Sequence, residues 1–535
     1  MKKTIISIAF VGIIAAGCDI DRQPYDKISS ESMKTEANAI TATYGNYALL
    51  KYSYIRWFEQ LADFKSDDVL LNGKSVDTYF NIGTFTDSPS DNHVWGLWKQ
   101  SYQVAYGTSA AISAIPDDTS SATLLHAKGE NYFLRAYVHM NLIQIFANTW
   151  GLHKGSDPGV VIRTGPMMDT PVRSSVAEVL DFCEKDINRA ISAMQAATDM
   201  NGGVEPKLLD DNAFADIDAC LALKARLFLW EERWDDCIKI CDDLLGSDPA
   251  AHLESGDSYE KIFQNARTDK EVIWCIGLVD TKDDYPGGYA MIGSMYNSQG
   301  APGDGSGWAE VAWSQPMIDL MERYPQDRRH VMRTKKFSNP AKKMIYYPIP
   351  SDPGDPESFR ENYIDRNPEY NSSTGTYFMS VYGDEDNHTH EVLTEMVNTY
   401  PRTYIMLDGI KQYVSVSDSM GCRTGTGGDM YPLNYMTKYS NQDGVPSNLA
   451  SPVVLRYAEV LLNRAEAYAH KGNAGEALAD VNIIRARAGL AGEAAMTTAN
   501  MDSRGYAGPL DVVLDERRLE LCFESFRSGW WKSSG

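Results

Sequence analysis

At 535 residues the chain exceeds the roughly 250 to 300 residues at which one hydrophobic core stops growing, so more than one structural layer is expected. Its 73 acidic against 50 basic residues leave a net charge of −23, which argues against a nucleic-acid partner, because a phosphate backbone needs a basic face. Acidity of this kind keeps a protein soluble.

Met1 to Cys18 reads MKKTIISIAFVGIIAAGC. Lys2 and Lys3 form a basic start, Thr4 to Ala16 an apolar run too short to span a bilayer, and Gly17-Cys18 a small-residue cleavage site. The cysteine directly after that site resembles a bacterial lipobox, with Ala15 where leucine is usual. Residues 1–17 are read as a lipoprotein signal peptide, Cys18 as the lipid anchor, and 18–35, which is polar and carries Pro24, as a flexible tether. No other stretch is long and apolar enough to cross a membrane, so export and lipid anchoring are expected. Cys183, Cys220, Cys237, Cys241, Cys275, Cys422 and Cys522 are an odd number that cannot all pair, and no disulfide framework or zinc site is expected.

A helical part is predicted from 36 to 247. Glu36 to Tyr52 reads as the first helix, 63–92 is turn-rich around Asn72-Gly73, and helical spacing resumes at Val94, Trp98, Tyr102, Ala105 and Ile112. Trp95 and Trp98 are assigned to the core. Leu124 to Phe146 and Ser175 to Met194 are two further amphipathic helices; Ser174 or Ser175 caps the second, with Glu178 in its first turn. Trp230 and Trp234 are read as packing residues.

Leu461, Ala465 and Tyr468, then Ala477, Val481 and Ile484 after a break at Gly472-Asn473, mark two helices facing each other across a turn. Asn473 with Glu476 is a capping-box-like start, and Arg464, Glu476, Asp480 and Arg487 fall on the wet side. The pattern resembles one tetratricopeptide hairpin, a unit of ~34 residues that stacks on neighbours. Leu221, Ala225, Phe228, Cys237, Cys241 and Leu244 repeat the same spacings 240 residues earlier, with the two cysteines as small buried residues. The fold class expected is therefore mostly α, a TPR-like helical-repeat scaffold with a large irregular, loop-rich layer between the copies, from 248 to 452. Within that layer Glu271 to Gly277 reads as a β-like run and Pro316 to Arg323 as a helix. Residues 453–535 hold the second hairpin and a last helix, Leu510 to Phe526, whose Glu516, Arg517, Arg518 and Glu520 form a solvated or ion-paired face.

With Cys18, GENYFLRAYVHMNL (Gly129 to Leu142), EVLDFCEKDINRAI (Glu178 to Ile191), YPQDRR (Tyr324 to Arg329), LRYAEVLLNRAEAYAHKGN with ALADVNIIRARAGL, and LDERRLELCFESFR (Leu514 to Arg527) in place, the sequence resembles the SusD/RagB family of surface glycan-binding lipoproteins of Bacteroidetes. Members of that family usually continue past the last motif, whereas this chain reads SGWWKSSG, so a truncated or short tail is expected. The resemblance implies a TPR-containing helical protein at the outer membrane that captures an oligosaccharide or other nutrient and passes it to a SusC-like TonB-dependent transporter. The irregular layer is where it implies ligand binding.

Sugar rings present apolar C–H faces and hydroxyls, so a glycan site needs aromatic platforms beside Asp, Asn, Arg or Lys. Tyr285, Tyr289, Tyr296, Trp308 and Trp313 surround the glycine-rich run Gly300 to Gly307 and supply candidate platforms, while the family resemblance implies polar contacts in the early loop, at Asp67, Asp68, Lys74 and Tyr79. His388, His390 and Glu391, and Asp384 to Asn387, hint at metal sites but lack full ligand spacing and read as solvated loop, so no metal or cofactor is expected. No nucleophile elbow, His-Glu-x-x-His or P-loop is present. A lipid-anchored glycoside hydrolase with paired carboxylates, and a TPR adaptor for peptides, stand as alternatives to a glycan-binding protein without catalysis.

Overall fold

The computed structural model describes residues 35–51, 53–71, 78–165, 170–209, 211–278, 292–296, 311–332, 338–350, 352, 354–355, 360–397, 400–420, 436–439 and 450–525. Helix α1 (Glu36–Ala48) starts at Thr35, whose hydroxyl accepts from the Asn38 amide, and α2 (Ser53–Asp63) follows. A short strand β1 (Val69–Leu71) and a short helix α3 (Thr78–Gly83) lead to the long α4 (Asn92–Ala114).

Helix α5 (Ala122–Phe146) lies at the centre and is buried on every side over most of its length, as a helix surrounded by others must be. Its charged and amide side chains have partners. Arg135 forks onto Asp186 of α6 (Val176–Met200) at 2.7 and 2.8 Å, Asn131 bonds Thr43 and Asn46 of α1, and Asn141 donates to the Tyr54 hydroxyl of α2 at 2.9 Å. Gly129 sets the spacing to α6. A Cβ there would lie 2.7 Å from Met194 and 3.0 Å from the Ala190 carbonyl. The expected cap of α6 is present as a full capping box between Ser175 and Glu178.

Helices α7 (Ile217–Trp230) and α8 (Trp234–Leu245) form the first repeat hairpin. The layer that follows begins with β2 (Val272–Cys275), α9 (Ile292–Tyr296), β3 (Val311–Trp313) and α10 (Gln315–Met321). It then carries more regular structure than its composition suggests: β4 (Ser338–Pro350), β5 (Arg360–Asp365), β6 (Glu369–Asn371), β7 (Thr376–Met379), β8 (His390–Glu391), β9 (Leu393–Val397), β10 (Tyr400–Leu407) and β11 (Ile410–Met420). Five of these strands make an antiparallel sheet in the order β5-β4-β11-β10-β9, and β6-β7-β8 make a ribbon. Ile345, Tyr347, Ile349, Met379, Val392, Ile405 and Val414 give this module a core of its own.

Strand β12 (Val453–Arg456) pairs with β2 and runs straight into the second hairpin, α11 (Tyr457–His470) with α12 (Ala474–Arg487), before the last helix, α13 (Pro509–Leu521). The two hairpins are adjacent in space. Trp234 of the first stacks flat on His470 of the second at 4.2 Å, and Arg226 forks onto Glu459 at 2.7 and 2.8 Å. Gly472 turns the second hairpin at φ +80, and Cys237 and Cys241 are buried free thiols at repeat core positions. Three details correct the sequence reading. Arg464 and Asp480 are buried and paired at 2.8 Å, with Arg464 also reaching Asp242 of α8 at 2.7 Å, because stacking turns the outer side of one hairpin into the inner side of the next. Asn473 makes no side-chain cap bond. Trp95 is 52% exposed, with the Lys99 ammonium 4.7 Å from its ring centre, while Trp98 packs on Tyr102 and Phe146.

The face of α13 is ion-paired rather than solvated. Arg329, Lys438, Arg456, Arg485 and Arg487 meet Glu271, Asp327, Glu516, Glu520 and Glu524 in a buried network, five cations against five carboxylates. Burial alone would raise the Glu520 carboxyl, but Arg487, Arg456, Arg329 and Lys438 outweigh it and hold that carboxyl well below its ordinary range. Replacing Arg456 by Met should lower stability by about 3 to 5 kcal/mol, since it leaves Glu520 and Glu524 buried with fewer partners. The urea midpoint measures this, and Lys185→Ala, which breaks only the exposed pair with Asp181, should leave that midpoint nearly unchanged.

Candidate functional site

The early loop and the aromatic insert, the two stretches expected to meet ligand, are far apart in sequence and joined in space. Strand β1 pairs antiparallel with β3, with Val69 opposite Trp313, Leu70 opposite Ala312 and Leu71 opposite Val311. The Ser314 amide extends the ladder by donating to the Asp68 carbonyl at 2.9 Å, and its hydroxyl caps α10. Helix α3 lies against the ladder, close enough that a Cβ on Gly83 would sit 2.6 Å from a Leu71 methyl. From the other side α13 holds the loop: Arg518 bonds the Asp68 carboxylate and reaches Asp67 at 3.1 Å.

Several predicted contacts are structural instead. Trp313 is 1% exposed, its ring edge-on to Phe523 at 4.9 Å, because strand pairing turns it into the main core. Tyr296 is 0% exposed; it donates to Glu59 at 2.6 Å and packs on Phe523 and Tyr439. Burial, with Asp63 beside it, pushes that Glu59 carboxyl well up. Asp68 is buried in its bond to Arg518, and Asp67 is exposed but shares the same guanidinium. Tyr79 belongs to α3, with its side chain outside the described residues; Cys18, Lys74, Tyr285, Tyr289 and Trp308 also lie outside them.

The residue that sequence reasoning missed is Phe85, two positions beyond Gly83. It is 63% exposed and has φ +58, a conformation that L residues with bulky side chains rarely adopt. Two backbone bonds hold the turn, from the Phe85 amide to the Ile82 carbonyl at 3.2 Å and from the Thr86 amide to the Asn81 carbonyl at 2.9 Å. Polar groups surround the ring. Lys65 places its ammonium 5.9 Å from the ring centre and pairs with Asp87 at 2.9 Å, and the Thr84 and Thr86 hydroxyls share a hydrogen bond. At the base of the loop His93 is buried, with no partner for either ring nitrogen among the described residues. Burial pushes its imidazole down, against the opposing pull of Asp87 and Asp91. The sequence carries only a weak signal for it, an aromatic between two threonines in a turn-rich stretch.

Residues 270–531 match the model of the SusD family, and 20–201 match a second one described as starch-binding associating with outer membrane. The chain belongs to the SusD/RagB family. A SusD superfamily protein from Bacteroides thetaiotaomicron has a similar structure, with a TM-score of 0.63 and 20% identity over 93% of this chain and 89% of that one. A putative sugar-binding protein from Bacteroides vulgatus gives a TM-score of 0.62 at 16% identity over 93% of this chain and 86% of that one. A laminarin-binding SusD-like protein gives 0.59 at 16% identity over 92% and 90%. At these identities the likeness is one of fold. No curated protein matches the sequence.

With Trp313 in the core, Trp313→Ala should cost about 3 to 5 kcal/mol of folding free energy. A lower denaturation midpoint, with binding per folded molecule unchanged, is the expected outcome.

Proposed function

We propose that this is a cell-surface lipoprotein that captures oligosaccharide without hydrolysing it, on the face around Phe85, and passes it to a SusC-like TonB-dependent transporter of the outer membrane. The observation that carries the reading is a large apolar ring kept in solvent in a strained backbone conformation, beside a lysine, a carboxylate and two hydroxyls. Both exposure and strain work against stability, and strain of about 1 to 3 kcal/mol persists at sites where it serves a function. The ring suits the C–H face of a sugar, and Asp87, Thr84, Thr86 and Lys65 suit its hydroxyls. Carboxylates here and the acidity of the whole chain favour a neutral glycan over a polyuronate. Family membership supports the reading, as do similar structures described as a laminarin-binding SusD-like protein and a surface glycan-binding protein from Bacteroides uniformis. Tyr289 and Trp308, which lie on either side of α9 in the sequence, remain proposed ligand contacts.

Phe85→Asn tests the site, because asparagine tolerates positive φ and removes the ring. The variant should melt no lower than the parent protein while binding its polysaccharide roughly 5- to 30-fold more weakly, the equivalent of about 1 to 2 kcal/mol. Unchanged retention in a polysaccharide-containing native gel would move the site elsewhere. Separately, Cys18→Ala should release the protein from the membrane fraction in soluble form; a variant still recovered with membranes rules out the lipid anchor.

A further inference from the structure

We infer that the β-module carries a second glycan-contact surface, with Tyr382 as its platform. The inference rests on the reading that the protein binds glycans, and it assigns a role to an acidic turn that the Phe85 face leaves unused. Tyr382 is 50% exposed and sits between β7 and β8. A row of rings leads out to it from the module's core. Buried Tyr347 meets Tyr363 at 5.5 Å, and Tyr363 meets Tyr382 nearly edge-on at 6.3 Å.

The exposed ring stands on a base that is already ordered. The Tyr382 amide donates to the Tyr347 hydroxyl at 3.0 Å, so the core holds the backbone of the platform directly. The Tyr363 hydroxyl bonds Ser380 at 2.6 Å, the Ser380 amide donates to Asp365 at 2.9 Å, and His388 closes the set on Asp365 at 3.1 Å. A bridge between Val381 and Asp384, with Gly383 at φ +84, then folds the turn back beside the ring. Asp384, Glu385, Asp386 and Asn387 are all exposed there. On an ordered backbone a tyrosine has only two side-chain torsions to settle on binding, and its amphipathic ring can stack on a sugar while carboxylate and amide oxygens accept from sugar hydroxyls.

Two other roles for the turn fit less well. Among the described residues no three His, Cys, Asp or Glu side chains are grouped to hold a metal, and His388 is already committed to Asp365. Nor does the Tyr382 ring serve the module's core, which closes over Tyr347, Met379 and Val392 without it. Phe85 lies on the helical part beside α3 and Tyr382 on a module with a separate core, so the two surfaces are built independently. A polysaccharide presents the same unit many times, and one chain engaging both surfaces gains affinity by effective concentration alone.

The test uses the whole protein in native gels cast with starch or with laminarin, followed by calorimetry with the matching hexasaccharide. Tyr382→Ala and Tyr382→Gln should each weaken retention on the polysaccharide that holds the parent protein by about tenfold. Hexasaccharide stoichiometry should fall from two to one, Phe85→Asn should do the same, and the double variant should bind none. Tyr382→Phe, which keeps the ring, should retain most of the binding. Retention and stoichiometry equal to the parent in both Tyr382 variants, with denaturation midpoints unchanged, would overturn the second surface and leave the Phe85 reading intact. A parent protein held by neither polysaccharide would overturn both.

Discussion

The Glu520 carboxylate receives Arg456 at 2.7 Å, Arg487 and the Tyr259 hydroxyl, and with Glu524 it holds the last helix to β12 and α12. Burying charge is expensive, and removing one member leaves others buried without a partner, so the network penalises arrangements in which a strand or helix that carries a member is misplaced. The members come from residues 271 to 524, which makes the network a check on the assembly of the whole C-terminal half. Its influence extends past the ions. Lys438 donates to the Glu520 and Cys522 carbonyls and Tyr439 to that of Phe523, while Asp63 accepts from the Ser525 amide. These bonds hold Phe523 and Ser525 at φ +60 and +64, and Phe523 is the ring against which Trp313 and Tyr296 pack.

The ladder that underlies the candidate site therefore depends on buried ionic contacts that lie outside it. Arg518, between Glu516 and Glu520 in α13, bonds Asp67 and Asp68 and so fixes the start of β1. The loop bearing Phe85 leaves a helix packed against that strand. A strained aromatic can stay in solvent only if the structure around it is over-determined, and the clamp from α13 supplies that condition.

Much of the helical scaffold was legible in the sequence because it obeys one period. The six matched positions of the two hairpins recur without knowledge of their partners, and the Ser175 capping box is a local signal. What was not legible depended on distant pairing. Arg464 and Asp480 look solvent-facing on an isolated hairpin and become interior only when the other hairpin stacks. Trp313 looks like a platform beside a glycine-rich run and becomes core because β1, more than 240 residues earlier, pairs with its strand. The β-module escaped notice because its strands, such as IKQYVSVSDSM in β11, mix tyrosine, serine and lysine with few aliphatics, a weak alternation around a small core. Phe85 was missed because its signal is conformational: nothing in Gly-Thr-Phe-Thr states that the phenylalanine has positive φ.

Rings of the same chemical type thus reach opposite fates, and backbone anchoring separates them better than the composition around them. Trp313 and Tyr296 lie in elements that pair or pack against the main core, whereas Phe85 and Tyr382 lie in turns held from below, the first by bonds to the end of α3 and the second by a bond to the hydroxyl of a core tyrosine in β4. That arrangement suits a protein proposed to hand its ligand on. A platform worth about 1 to 2 kcal/mol retains a sugar only briefly, and two such platforms on separate units retain a polysaccharide far longer than a fragment of it. On the proposed reading, selectivity for long chains at capture follows from having two platforms of modest strength on separate units.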